Sequence, residues 1–462
     1  MCNNTYCVSR TNSTFDPLFQ FTMHAPLALW ILSAVVCVGR SHHHIGHGEE
    51  AQGPAGDGSD NKMSLVTSAN KEFAFRLYTK LADHASSEGK NIFFSPVSVS
   101  TALAALMVGA RGETHQQLFR GMGFSSSQLA QTDVDQAFRT LLANKASHED
   151  LSQGTAVFMN NSFNAKPEFL DVLKQSYSAE GFNVDFVKTT ESADTINQYV
   201  SGKTNGKIDK LVESLDPSTV MYLLSYIYYK GKWSHAMRSL SSFTVKSFFF
   251  FLGDMIVFTR TGKWETPFNP RYTFMDRFRV DESNEVQVQM MRMEEDVKTY
   301  NDQAINTTVL HLPFNNSYSM LLLLPDDMAV LESNISPAHV TKWLKWTKSR
   351  TYFIYLPKFS IKTSYKLNDV LTGMGMADMF GDRANLSGIA DGQKLAVSEV
   401  VHQATLDVDE AGATAAAATG IFVKYSSLRD PELWFNRPFM VIITERVPEN
   451  ILFIGKIVNP NL

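Results

Sequence analysis

The sequence predicts one large α+β domain, and three observations carry that expectation. The chain of 462 residues exceeds the usual domain size, yet no Pro/Gly/Ser-rich linker divides the part after Lys62. Helical spacing and capping signals recur early in that part, where Ala69, Phe73, Leu77 and Leu81 stand four apart. Residues 155–163 and 220–229 are apolar or β-branched runs suited to buried strands.

Taken in order, residues 1–22 are polar and carry sequons at Asn3 and Asn12, which a secretory signal does not want in front of it. Residues 23–39, MHAPLALWILSAVVCVG, form a short apolar run ending in small residues. The run is too short to span a bilayer and reads as a signal peptide over 23–40, with Met23 the true start and 1–22 a spurious extension. All three cysteines, Cys2, Cys7 and Cys37, precede the predicted domain, so the body has no disulfide. Residues 41–63 hold His42, His43, His44 and His47 among Gly, Asp and Glu, and read as a disordered tail. No cysteine or carboxylate frame fixes a geometry around those histidines, so no metal site is expected.

The domain is expected to begin at Ser64, with a helix to His84. Ser95-Pro96 offers a helix cap followed by proline in the first helical position, and Val99, Ala102, Leu103 and Leu106 then make one apolar face. Gly109 and Gly112 mark its end. Thr114 with Gln117 has the spacing of a capping box for a second short helix. The run Phe248 to Phe251 sits in a stretch, residues 234–264, that is too long and too apolar for a structureless loop in a compact domain. It is also too short, and carries Asp254, for a membrane span.

Near the carboxyl end, residues 411–423 hold no charge and no proline between Asp409-Glu410 and Arg429-Asp430. With strand periodicity, Ala413, Ala415, Ala417, Thr419, Ile421 and Val423 share one face, which can be buried whole. An alanine-rich helix is the competing reading, against which Gly412, Gly420, Thr414 and Thr419 weigh; composition leaves both open. The tip KYSSLRD reads as an exposed loop.

Formal net charge is −5, spread in both signs, so neither nucleic acid nor an anionic membrane surface is indicated as a partner. No GxSxG, HExxH or P-loop occurs, and Gly121-Met-Gly and Gly373-Met-Gly stop short of a dinucleotide fingerprint. Neither an enzymatic activity nor a cofactor is expected.

The run Asp409-Glu410-Ala411-Gly412-Ala413-Thr414-Ala415-Ala416-Ala417, followed by Phe435-Asn436-Arg437-Pro438-Phe439, resembles the reactive-centre loop and signature of the serpins. Further blocks match in family order: Asn91-Ile92-Phe93-Phe94-Ser95-Pro96, Gly109-Ala110-Arg111-Gly112-Glu113-Thr114, Ile196-Asn197 with Thr204-Asn205-Gly206-Lys207-Ile208, and Phe453-Ile454-Gly455-Lys456-Ile457-Val458-Asn459-Pro460. The third block resembles that around the family's third sheet-A strand. Together they cover about residues 65–462, and within the family the resemblance is to the secreted alpha-1-antitrypsin-like clade.

The resemblance implies a serpin domain over 64–462 with three β-sheets, about nine helices and an exposed reactive-centre loop. It implies a suicide-substrate inhibitor that forms a covalent acyl complex with a serine protease, acting as a monomer in the extracellular space. A serpin-fold carrier of a hydrophobic hormone is the alternative. Glu410, Gly412, Ala413, Thr414, Ala415, Ala416 and Ala417 would form the hinge. Ser95, Ser98, Asn197 and His402 would form the shutter, a buried hydrogen-bond cluster under sheet A. Counting from Glu410 puts the reactive bond at Ser426-Ser427, and counting back from Pro438 puts it at Ser427-Leu428. Side-chain chemistry favours Tyr425-Ser426 and a chymotrypsin-like or elastase-like target.

Residues 137–142 resemble the family's fourth helix, but Arg139 and Lys145 stand among Asp133, Asp135, Glu149 and Asp150, so heparin activation is not supported. Ser225 stands where the family usually has asparagine. Residues 234–264 interrupt the family's Gly-Lys-Trp to Glu-Thr-Pro-Phe junction and read as a retained intron. Sequons at Asn160, Asn306, Asn315, Asn334 and Asn385 suit a glycoprotein.

Overall fold

The computed structural model describes residues 57–85, 89–145, 151–204, 206, 208–230, 267–314, 318–391, 394–410, 430–446 and 450–462, all within one unit, Ala55–Leu462. Residues 1–22, the expected signal, residues 41–56 of the tail, the 234–264 insert and residues 411–429 lie outside the described residues.

Helix α1 (Asp57–Ala85) begins earlier than the expected Ser64, so the last residues of the expected tail belong to the fold. Asp60 stands in its amino-terminal turn, where the helix dipole favours an acid, and Lys62 Nζ reaches Asp133 at 2.7 Å. In α2 (Pro96–Gly109), Ser95 caps the helix by accepting from the Ser98 N–H, and Pro96 takes the first helical position. The expected single apolar face is too modest, because every residue of α2 except Val108 is buried. The helix lies between the two sheets and against other helices, and apolar or small residues all round are the solution for that place. It ends at Gly109, where a Cβ would collide with Ile389.

Thr114 and Gln117 do not make a capping box. Both lie inside α3 (Gly112–Gly121), whose amino-terminal cap is Arg111. Their side chains instead accept from distant backbone, Thr114 Oγ1 from Asn385 N at 3.0 Å and Gln117 Oε1 from Asp378 N at 2.9 Å. The remaining helices are α4 (Gln131–Lys145), α5 (Pro167–Tyr177), α6 (Thr189–Lys203), α7 (Met328–Asn334), α8 (Pro337–Trp346) and α9 (Asn368–Gly373). The block expected beside a sheet strand, Ile196 to Thr204, lies in α6 and the turn that ends it.

The strands are β1 (Ile92–Phe94), β2 (Leu151–Asn160), β3 (Ala179–Val184), β4 (Met221–Lys230), β5 (Phe274–Arg279), β6 (Glu285–Asp302), β7 (Thr307–Pro313), β8 (Tyr318–Pro325), β9 (Lys348–Pro357), β10 (Phe359–Lys366), β11 (Glu399–Val408), β12 (Glu432–Trp434), β13 (Phe439–Glu445) and β14 (Ile451–Ile457). The runs read as buried strands become β2 and β4, central in a five-stranded sheet of order β10-β11-β4-β2-β3. The other two expected sheets are hydrogen-bonded into one of nine strands, because β6, 18 residues long, pairs with β5, β7 and β9 along its length.

Strand alternation builds the core. On β11, Val400 meets the helices and Ala404 and Leu406 meet the nine-stranded sheet, whereas Val401 faces the opposite way into a layer shared with Ile196 and Val200 of α6. β1 pairs with β14 alone among the described strands. Beside that pair, Asn91 Oδ1 accepts from Val458 N at 2.7 Å and Asn459 N at 2.9 Å, and Nδ2 donates to Asn459 O at 2.6 Å.

Candidate functional site

The five-stranded sheet changes sense at its centre. β10 and β11 are antiparallel, as are β4 and β2, but β11 and β4 run parallel from Glu399↔Tyr222 to Asp407↔Lys230. A strand running opposite to both fits between them with antiparallel ladders on each side, which are slightly more stable per residue than the parallel ladder they would replace. Residues 411–429 follow β11 directly after Asp409 and Glu410.

A buried polar cluster fastens this junction to α2. His402 on β11 is paired in register with Ser225 on β4, and both are buried. The backbone N–H of Ser95 donates to His402 Nε2 at 3.0 Å, which makes Nε2 the acceptor and leaves the ring proton on Nδ1. Nδ1–H then donates to Ser225 Oγ at 3.2 Å, Ser225 Oγ donates to Ser98 Oγ at 2.8 Å, and Ser98 Oγ donates to Tyr226 O at 3.4 Å. Ser95 Oγ closes the group by accepting from Ser98 N at 3.2 Å. Burial pushes the His402 pKa down to about 3, so the ring is neutral and the donor order holds at physiological pH.

Three of the four residues expected in this cluster are therefore brought together, and the fourth is not. Asn197 lies on α6, where Oδ1 accepts from Leu211 N (2.8 Å) and Val212 N (2.9 Å) and Nδ2 donates to Val212 O (2.8 Å). Its amide is used up in fixing the segment after α6. Ser225 occupies the cluster position instead; its occurrence inside an apolar strand was the signal, since a hydroxyl there must find a partner.

At the other end of β11 the chain is anchored by Glu410, the one hinge residue among those described. Glu410 is 7% exposed; Oε1 accepts from Thr273 Oγ1 at 2.6 Å and Oε2 from Lys358 Nζ at 3.0 Å. Burial works against ionisation, but the Thr273 hydrogen bond, a backbone N–H and Lys358 together hold the carboxyl below its ordinary range. Thr273 and Lys358 carry no local sequence signal, being 137 and 52 residues away. The other hinge residues, Gly412 to Ala417, and the bond candidates Tyr425, Ser426 and Ser427 lie outside the described residues.

Four expected sequon asparagines are described. Asn306 is exposed in a turn at φ 44°, Asn334 is exposed at the end of α7 with Nδ2 donating to Val330 O, and Asn385 is exposed with Oδ1 accepting from Ser387 Oγ at 2.9 Å. Asn160 is half-buried at the end of β2, with Oδ1 accepting from Ser162 Oγ at 2.9 Å. Asn315 lies outside the described residues. Among the described residues no group of His, Cys, Asp and Glu is placed to hold a metal ion, and no helix is long and apolar enough to cross a membrane.

Known proteins share this architecture. The sequence model of the family described as "Serpin (serine protease inhibitor)" matches residues 68–254 and 240–460. The two matched pieces overlap inside the 234–264 stretch. The chain is 36% identical over 410 residues to a serine protease inhibitor of the A3 series from Mus musculus, covering 87% of this chain and 90% of that protein. It is 36% identical over 402 residues to serpin A3-5 of Bos taurus, covering 86% and 89%. Among solved structures, it is similar to human thyroxine-binding globulin complexed with thyroxine (TM-score 0.75, 29% identity, 87% of this chain and 100% of that one). It is also similar to human glycosylated kallistatin (TM-score 0.74, 32% identity, 87% and 99%).

Proposed function

The chain belongs to the serpin family, and from that premise we propose that it inhibits serine proteases as a suicide substrate, by cleavage of the 411–429 loop and insertion of its first half between β4 and β11. The observation that carries this reading is the parallel β4–β11 junction, with the loop leaving the end of β11 at Glu410. An antiparallel strand entering there exchanges one parallel ladder for two antiparallel ones, each new hydrogen bond contributing about 1 kcal/mol net. The face Ala413, Ala415, Ala417 and Thr419 would be buried without desolvating a charge.

The residues of this chain divide the work. The loop offers a peptide bond to the protease serine; the acyl ester that forms is drawn away as the hinge inserts, and the distorted enzyme cannot admit the water that deacylates it. Ser95, Ser98, Ser225 and His402 act as the shutter by holding β4 and β11 together through side chains, which can be exchanged as the strands part. Glu410, with Thr273 and Lys358, sets where the loop departs. The reactive bond lies among Tyr425-Ser426, Ser426-Ser427 and Ser427-Leu428, favouring chymotrypsin-like or elastase-like targets. The apolar run at 23–39 and the sequons Asn160, Asn306, Asn315, Asn334 and Asn385 support a secreted glycoprotein.

The test is to mix the protein with chymotrypsin, elastase, trypsin and thrombin and look for complexes that survive denaturant. The released peptide should begin at Ser426, Ser427 or Leu428. A complex with trypsin alone and a peptide beginning at Tyr425 or Asp430 would reject the specificity; no complex with any enzyme would reject inhibition. The likeness to thyroxine-binding globulin supports a second reading, a carrier of a hydrophobic hormone. Saturable binding of thyroxine together with no complex would favour it.

A further inference from the structure

A cleft of about 320 Å³ opens at the end of the β4–β11 junction where β11 begins, the end away from Glu410. Its floor is the five-stranded sheet, where Tyr222 of β4 is paired in register with Glu399 of β11, and Val401 of β11 with Lys366 of β10. Its roof is the segment after α6, in which the Asn197 amide fixes Leu211 and Val212. Leu211, Val212 and Val401 are buried and give the cleft an apolar wall. A volume of this size stands at the small end of the range in which proteins hold organic ligands.

Tyr222 lines the cleft and is only 2% exposed, yet its hydroxyl has no hydrogen-bond partner among the described residues. A buried hydroxyl without a partner is uncommon, and the space this one can reach is the cleft. Burial, and then the nearby Glu399 carboxylate, raise the phenol pKa, so the group stays a neutral hydroxyl able to donate and to accept. Glu399 is only partly committed: Oε1 accepts from Lys366 Nζ at 2.8 Å, while Oε2 has no partner among the described residues. The Glu399 side chain is 31% exposed and that of Lys366 73%, so the carboxylate belongs to the cleft wall and the ammonium to the solvent side. Glu213 on the roof adds a second carboxylate, with no ion pair among the described residues. Two carboxylates against one lysine leave the cleft short of positive charge.

We propose that this cleft binds a small amphipathic amine. Its ammonium donates to Glu399 Oε2 and to the Tyr222 hydroxyl, and its apolar body lies against Leu211, Val212 and Val401. A charged donor on an ionised acceptor is stronger than a neutral pair. An anion of the same size would face Glu399 and Glu213, and a molecule with no donor would leave Glu399 Oε2 and the phenol as they are. The site is separate from the 411–429 loop and from the His402 cluster, and it stands whether or not the chain inhibits proteases.

The experiment titrates the full chain by calorimetry with three probes that share one ring system: tryptamine, tryptophol and indole-3-propionate. The expected result is saturable one-to-one binding of tryptamine, about tenfold tighter than tryptophol, with no saturation by the acid. Glu399→Gln should remove the advantage of the amine, and Tyr222→Phe should weaken tryptamine by about three- to tenfold. Lys366→Gln should tighten it, because the competing ammonium is gone. Melting temperatures matching the parent's show that the three variants fold. No saturable binding of tryptamine overturns the site. Alcohol or acid binding as tightly as the amine overturns the ligand class. An affinity unmoved by Tyr222→Phe or by Glu399→Gln puts the amine elsewhere and overturns the proposal, as does weaker binding in Lys366→Gln, since the lysine would then be what holds the ligand.

Discussion

Ser225 Oγ lies 3.2 Å from His402 Nδ1 across the one place in the five-stranded sheet where central neighbours run parallel. Because His402 Nε2 is committed to the Ser95 N–H, Ser225 is the acceptor that the Nδ1 proton has. Ser225→Ala should leave that proton unpaired in a dry site, at about 1–3 kcal/mol. The expected outcome is a lower melting temperature and faster amide exchange in β4 and β11, with β13 and β14 unaffected. Equal exchange in all four strands would show that the pair does not govern the junction.

Acid should loosen the fold through its buried histidines. His402 and His311 have pKa values pushed down by burial to about 3 and about 4, and neither nitrogen of His311 has a hydrogen-bond partner among the described residues. Unfolded histidine titrates near 6.5, so the unfolded chain takes up protons that the folded chain refuses. Stability is fully present above about pH 6.5 and falls as the pH drops toward 4, with a limiting slope of about 1.4 kcal/mol per pH unit for each ring. His311→Leu should flatten this dependence, read from denaturant midpoints between pH 7 and pH 4. A variant as steep as its parent would remove His311 from the account.

Glu410 ties the loop to two elements far away in sequence, Thr273 ahead of β5 and Lys358 between β9 and β10. Lys358→Ala should leave a carboxylate, nearly all of it buried, without its cation, costing about 1–3 kcal/mol. A synthetic peptide with the sequence 411–424 should then enter the β4–β11 junction faster, seen as a mobility shift on native gels. Entry at the parent rate would mean that Glu410 is held well enough by Thr273 alone.

Cutting the loop between Gly420 and Ser427 should raise the melting temperature sharply, because the small-residue face from Ala413 becomes free to add a strand. Ala413→Arg places a charge at the first inward position of that face, at several kcal/mol when buried unpaired. The variant should be cleaved as a substrate with little covalent complex, and an unchanged yield of complex would falsify the hinge argument.

Local signals in the sequence were reliable where the partner is local. Ser95-Pro96 reads as a helix start because the cap bond closes within three residues, and the continuous apolar runs of β2 and β4 read as strand because a strand covered on both faces is apolar throughout. Thr114 and Gln117 misled for the converse reason: their partners, Asn385 and Asp378, are 271 and 261 residues away, and a polar pair at capping spacing looks the same whichever backbone it serves. Asn197, expected in the buried cluster, lies away from it, and Ser225 stands beside Ser98 and His402 there. An asparagine in a family-like block invites a functional reading, yet its amide was needed by its own neighbourhood at 211–212.

The pairing of β1 with β14 sets a schedule for biosynthesis. Ile92 to Phe94 leave the ribosome roughly 360 residues before Ile451 to Ile457, and Asn91 waits for Val458 and Asn459 over the same span. At translation rates of about 5–20 residues per second, that is a delay of roughly 20–70 seconds. Throughout it, the edge of β1 lacks the β14 strand it pairs with, and a chaperone that shields short aromatic segments such as IFF has its longest opportunity there.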